Sequence, residues 1–304
     1  MSSTATDLTA ILRQVRRLEL RSERQVDALM LGAYRAMVRG QGMEFEELRD
    51  YHPGDDIRHI DWNVTARSAG QRAYVKVYRE ERARICRLIL DVSGSMCFGS
   101  IPGQSLRNKL QTAAEAAAII GVVALRNRDL LGLTTFSNRR LLHLPCRSGR
   151  GHIMHILRSC LAAQASADAT CLTLALEELY RTQPRRTLCV VISDYLRDEI
   201  EFASTLRRVA RRHEIIGLRI DDPGERQLPM ARAPLVLRDP ESRDEQVFVG
   251  GPAAADRYRL AYQAQRQRVS DAFTAARCDL IDIGTEDDCF ATLHRALTHR
   301  RRHA

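Results

Sequence analysis

From about residue 84 onward the chain alternates between two patterns of apolar positions. Short, nearly unbroken apolar runs at 85–90 (ICRLIL), 130–136, 140–144, 187–192, 214–220 and 278–283 predict strands. Between them, apolar residues recur at helical spacing over 105–127, 150–163, 171–182, 198–212, 253–276 and 287–298, which predicts helices. Runs that are apolar on both faces, separated by amphipathic helices, imply a largely parallel sheet covered on each side. The expected fold class is therefore α/β, a doubly wound sheet.

The first part of the chain reads differently. Residues 1–38 carry Leu8, Ile11, Leu12, Val15, Leu18 and Leu20 at helical spacing with charges between them, an N-terminal amphipathic helix. Residues 39–83 are broken by Gly40, Gly42, Pro53, Gly54 and Gly70, and Ala73 to Tyr78 alternates as a half-buried strand does. This predicts a small lobe of turns and short strands. The α/β domain then runs over 84–286 with a β excursion at about 226–250, and 287–304 is a terminal helix with a basic tail.

In a doubly wound sheet, ligands gather beyond the carboxyl ends of the strands, where strand order reverses. Two carboxylates fall at such ends: Asp91 follows the run ICRLIL, and Asp194 follows Val190-Val191-Ile192-Ser193. Asp91 opens DVSGSM, so Asp91, Ser93 and Ser95 at i, i+2 and i+4 can turn their oxygens to one point. Thr170, just ahead of the helix at 171–182, offers one more hydroxyl. An all-oxygen set in which hydroxyls outnumber charges suits a hard cation such as Mg²⁺ and argues against zinc or copper. Asp, Ser and Gly also serve as ordinary turn and cap residues, and DVSGSM by itself does not separate the two uses.

DVSGSM, Thr170 and Ser193-Asp194 together resemble the metal-ion-dependent adhesion site of von Willebrand factor A domains. The stretch from Glu44 to Trp62, with Ala66-Arg67 and Val75-Lys76, is similar to the signature of the DUF58 family. Asp221-Asp222-Pro223-Gly224-Glu225, Leu228-Pro229 and Leu237-Arg238-Asp239-Pro240-Glu241 look like that family too. The resemblance implies a von Willebrand A-like fold and a divalent ion, Mg²⁺ or alternatively Mn²⁺ or Ca²⁺, at Asp91, Ser93, Ser95, Thr170 and Asp194. It also implies a partnership with a MoxR-type AAA+ ATPase, with an acidic protein ligand at the ion. Where the family often has Gly-Gly-Thr, this chain has Asp168-Ala169-Thr170.

Other clusters compete for attention. His52, Asp55, Asp56, His59 and Asp61 are the densest set of potential metal ligands and raise the alternative of a metal-dependent hydrolase. Arg49, Arg58 and Arg67 lie among these carboxylates, however, and bidentate pairing predicts a structural or docking role. His152 and His155 share a helix face with no acidic or cysteine ligand beside them, which predicts packing or surface positions. Trp62, the lone tryptophan, is expected to fill a core between the small lobe and the α/β domain.

Composition narrows the field. The net charge of +9 comes with arginine groups at Arg13, Arg16, Arg17, Arg21 and Arg24, at Arg207, Arg208, Arg211 and Arg212, and at Arg300 to Arg302. Nucleic-acid binding through them is a further alternative, but aromatics make up 5% of the chain and none is interleaved with these groups, which disfavours it. No Gly-x-x-x-x-Gly-Lys-Ser/Thr loop and no Gly-x-Ser-x-Gly elbow is present, and Ser93 stands where an aspartyl phosphatase needs its second acid. A non-enzymatic module with no catalytic residue is expected. Eight cysteines without CxxC pairs read as reduced thiols, and the N-terminus lacks a secretory pattern, so a cytoplasmic protein without transmembrane segments is expected.

Overall fold

The computed structural model describes residues 44–53, 55, 57, 60–67, 73–79, 84–99, 107–164, 169–197, 201–226, 235–239, 244–248 and 251–303. The amphipathic helix expected at 1–38 lies outside these. The chain divides into two compact units, one of residues 38–83 and one that includes residues 84–304.

In the smaller unit, β1 (Glu44–Asp50) pairs antiparallel with β2 (Tyr74–Arg79), with a register shift between Phe45 and Glu47. Between them lies α1 (Trp62–Arg67), whose start is capped by Asp61 Oδ1 accepting from the Asn63 and Val64 N–H groups. Trp62 does not fill a core. It is 68% exposed, because α1 is a six-residue helix with no buried residue.

The larger unit is built on a six-stranded sheet. Its strands are β3 (Ile85–Asp91), β4 (Leu130–Phe136), β5 (Arg140–Arg147), β6 (Leu188–Ser193), β7 (Glu214–Asp221) and a last strand, β10 (Asp279–Gly284). The spatial order is β10-β7-β6-β3-β4-β5, parallel except for β5, which returns antiparallel along the edge of β4. This is the expected doubly wound α/β architecture. The central strands β3, β6 and β7 are buried almost end to end, which is why their sequences are apolar at consecutive positions. The chain leaves β3 toward β4 on one side and later returns to β6 on the other, so the order reverses between β3 and β6.

Two layers of helices cover the sheet. On one face, α4 (Leu172–Thr182), α5 (Phe202–Ala210) and α6 (Pro252–Ala275) close a core of Ile89, Phe136, Cys189, Val191, Ile215, Val269 and Phe273. A Cβ on Gly217 would lie 2.5 Å from Phe273 Cζ, so the missing side chain sets how closely α6 approaches β7. On the other face lie α2 (Lys109–Arg126) and α3 (Arg150–Leu161), joined at the end of the chain by α7 (Cys289–His303). α2 is apolar nearly all round and buried on nearly every side, as its sequence predicts. A capping box between Asn108 and Gln111 fixes its start. Asp288 Oδ1 accepts from Ala291 N, which places the beginning of α7 after the expected 287. The β excursion contains a hairpin of β8 (Leu235–Arg238) and β9 (Glu245–Phe248). All eight cysteines are free thiols. No described helix is long and apolar enough to cross a membrane.

Candidate functional site at the sheet switch point

Strand order reverses at the carboxyl ends of β3 and β6, where a doubly wound sheet forms its ligand crevice, and the two end residues meet there. Ser193, last in β6, donates its hydroxyl to Asp91 Oδ2 at 2.6 Å, while Asp91 Oδ1 accepts from Ser93 N–H at 2.9 Å. Asp91 is fully buried. Burial, and after it the nearby Asp194 carboxylate, push its pKa up to about 7 against the lowering effect of the Ser193 and Ser93 hydrogen bonds.

Beyond Asp91 the chain turns through a short 3-10 segment, Gly94–Cys97. That turn places the hydroxyls of Ser93 and Ser95 3.2 Å apart. Thr170 arrives from a third loop, held because Cys171 N–H donates to the Ser137 carbonyl in the β4–β5 turn, and its hydroxyl donates to Ser93 Oγ at 2.7 Å. Asp91, Ser93, Ser95 and Thr170 thus form one continuous hydrogen-bonded chain. Asp168 lies outside the described residues.

Asp194, the fifth residue of the expected set, sits beside this chain and is bonded elsewhere. Its Oδ2 accepts from Lys109 Nζ at 2.6 Å and its Oδ1 from Leu196 N–H at 3.3 Å. Lys109 is wholly enclosed and also donates to Glu225 Oε1 at 2.5 Å. Burial alone pulls the ammonium's pKa down, but Asp194 and Glu225 outweigh it and hold Lys109 charged. Burial pushes Glu225 up to about 7 against the pull of Lys109. Neither Lys109 nor Glu225 was among the expected site residues, since pairing across 85 and 116 positions leaves no local spacing to read.

Tyr195 fixes the strand end. Its backbone adopts a left-handed conformation at φ 55, unusual for a bulky residue, and the surroundings hold it there. The phenol is buried, donates to Val191 O at 2.9 Å and packs edge-on against Phe273, and Tyr195 N–H donates to Ser193 Oγ. The turn that carries Asp194 is therefore anchored in the core.

The donor set matches a hard divalent cation. Four neutral or anionic oxygens converge at the crevice, and no cationic side chain among the described residues bonds to the Asp91 carboxylate, although isolating a buried charge is costly. Among the described residues no group of three or more His, Cys, Asp or Glu side chains is placed to hold a metal ion by itself. In the small unit Asp55 is held by Arg49, with contacts of 2.8 and 2.7 Å, and by His52 N–H, which pull its pKa down to about 2. Asp61 caps α1, and Asp56, Arg58 and His59 lie outside the described residues. His152 Nε2 bonds to the carbonyls of Leu131 and Pro145, a packing role, and His155 is exposed.

The chain is similar to several known proteins. Uncharacterized protein Rv1480 of Mycobacterium tuberculosis is 32% identical over 293 residues, covering 95% of this chain and 90% of that one. The uncharacterized protein YeaD of Bacillus subtilis is 25% identical over 153 residues, 50% of this chain and 35% of that one. Among solved structures, BatB from Bacteroides thetaiotaomicron aligns with a TM-score of 0.47 at 15% identity, over 72% of this chain and all (100%) of that one. A von Willebrand factor type A protein from Catenulispora acidiphila aligns at 0.41 and 11% identity, over 75% of this chain and 43% of that one. The fold stands on its own strand order rather than on these scores. The family model described as "Protein of unknown function DUF58" matches residues 47–271, and the chain belongs to that family.

Proposed function

We propose that the protein is a non-enzymatic, metal-dependent interaction module that captures an acidic side chain of a protein partner at the β3–β6 crevice. The observation that carries this reading is Asp91, a fully buried carboxylate that heads a chain of three hydroxyls and has no bonded cation among the described residues. Asp91, Ser93, Ser95 and Thr170 would hold the ion, Mg²⁺ or alternatively Mn²⁺ or Ca²⁺, with Asp194 close enough to act on the same charge. When bound, the ion supplies a Lewis-acidic position that an outside carboxylate can fill. The chain's own residues do the rest: Ser193 orients Asp91, Tyr195 anchors the β6 end, and the hydroxyls contribute oxygens without adding negative charge.

The partner that fits this reading is a MoxR-type AAA+ ATPase, or an acidic client of that ATPase, with the pair remodelling or maturing another protein. The test is binding of the immobilised protein to the purified MoxR-type ATPase of the same cell, in Mg²⁺ and in chelator. Retention in Mg²⁺ that disappears in chelator and with Asp91→Asn supports the proposal. Retention indifferent to both, or none in either condition, overturns it.

A further inference from the structure

Lys109 occupies an uncommon place for a lysine. It is the first residue of a helix otherwise almost entirely buried, none of its side chain reaches solvent, and both of its acidic partners belong to the rim of the candidate site. Phe98 closes over it, with its ring centroid 5.9 Å from Nζ. Asp91 and Asp194 flank the crevice, and Glu225 stands behind Asp194, in the turn after β7.

We infer that Lys109 is a specificity-determining residue, which sets the charge of the site so that it still admits a partner's carboxylate after it has taken up a divalent cation. This rests on the divalent-ion reading given above. The reasoning is electrostatic. With Asp91, Asp194 and Glu225 ionised, a divalent ion compensates two of the three charges and Lys109 the third. The charges of these four groups and the ion then cancel, and an incoming carboxylate meets an open coordination position with one unit less repulsion than it would without Lys109. Without the ammonium the same site would hold its ion more tightly, because one positive neighbour is gone, yet would be net negative toward any acid. Lys109 thereby trades ion affinity for the ability to accept a ligand. It also engages Asp194 Oδ2, while Leu196 N–H engages Oδ1, so Asp91 is the flanking carboxylate that no cation among the described residues bonds. Asp222, beside Glu225, is a further buried acid that accepts from the Gly224 N–H and the Thr285 hydroxyl, and Lys109 leaves the surroundings one charge less negative whether or not Asp222 is counted.

The experiment is a Mn²⁺ titration of the whole chain at pH 8. Free Mn²⁺ is followed by its EPR signal, with and without acetate as the carboxylate probe and with correction for acetate bound to free metal. Wild type should bind Mn²⁺ more tightly when acetate is present. Lys109→Met should bind Mn²⁺ at least about tenfold more tightly without acetate and lose the acetate enhancement.

The double variant Lys109→Met/Glu225→Gln removes one charge of each sign. It should fold even where the single variant does not, and it should regain the acetate response. Unchanged or weaker Mn²⁺ affinity in a folded Lys109→Met, or a double variant deaf to acetate, would overturn the inference while leaving the ion site standing. Failure of wild type itself to bind Mn²⁺ overturns the site and the role of Lys109 with it.

Discussion

Lys109, at the start of α2, donates its ammonium to Asp194, just past the end of β6, at 2.6 Å and across 85 positions of sequence. The pair ties a helix from one face of the sheet to the strand end that borders the crevice. Breaking a buried ion pair from one side leaves a charge without its counterpart. Asp194→Asn should therefore cost roughly 3 kcal/mol in urea unfolding, with Glu225 retaining part of the ammonium's interaction. An unchanged midpoint would mean that the pair does not hold this part of the fold.

Asp91 bears on stability in the opposite direction. Its buried carboxylate has no bonded cation among the described residues, which costs the ion-free fold stability, and Asp91→Asn keeps the shape while removing the charge. Ion-free Asp91→Asn should melt at or above the wild-type temperature at pH 8. Wild type, but not the variant, should gain about 2.7 kcal/mol when Mg²⁺ is present at about a hundred times its dissociation constant. Equal Mg²⁺ gains in both proteins would remove Asp91 from the ion site.

Away from the site, Gly217 is filled from outside by its neighbours. An added methyl would meet Phe273 Cζ at 2.5 Å and Leu280 Cδ1 at 2.8 Å, so Gly217→Ala must push α6 off β7. Destabilisation of about 1 to 3 kcal/mol is expected, with Mg²⁺ affinity retained. A variant as stable as wild type would show that this contact is loose.

His213 predicts an acid limit. Its ring is buried with neither nitrogen bonded among the described residues, and burial, followed by the Arg212 charge, lowers its pKa from 6.5 to about 4. Between those values the unfolded chain takes up a proton that the folded chain refuses. Stability should therefore fall as pH drops from about 6.5 to about 4, with no contribution from this group above that window. His213→Phe should flatten that part of the pH–stability curve; an unaltered slope would assign the acid sensitivity elsewhere.

The strands that build the site were legible because a parallel strand buried on both faces writes itself as an unbroken apolar run, as ICRLIL and LCVVIS do. The rule that ligands gather at strand ends then brought Asp91 and Asp194 to one crevice from positions 103 residues apart in number, a separation no spacing argument spans. Lys109 was not legible in the same way. It reads as the polar end of an apolar helix, and its partners are chosen by the tertiary fold. One signal was available: in a helix as apolar as α2, a first-turn lysine has little room to reach water. Trp62 misled for the converse reason. Aromatic bulk predicts burial, but a six-residue helix with no buried position has no core to offer it.

The most direct measurement of the central claim is anomalous diffraction from crystals equilibrated with Mn²⁺. A single peak among the oxygens of Asp91, Ser93, Ser95 and Thr170, lost in Asp91→Asn crystals, is the predicted result. No peak there at saturating Mn²⁺, or a peak among His52, Asp55 and Asp61 instead, would contradict it.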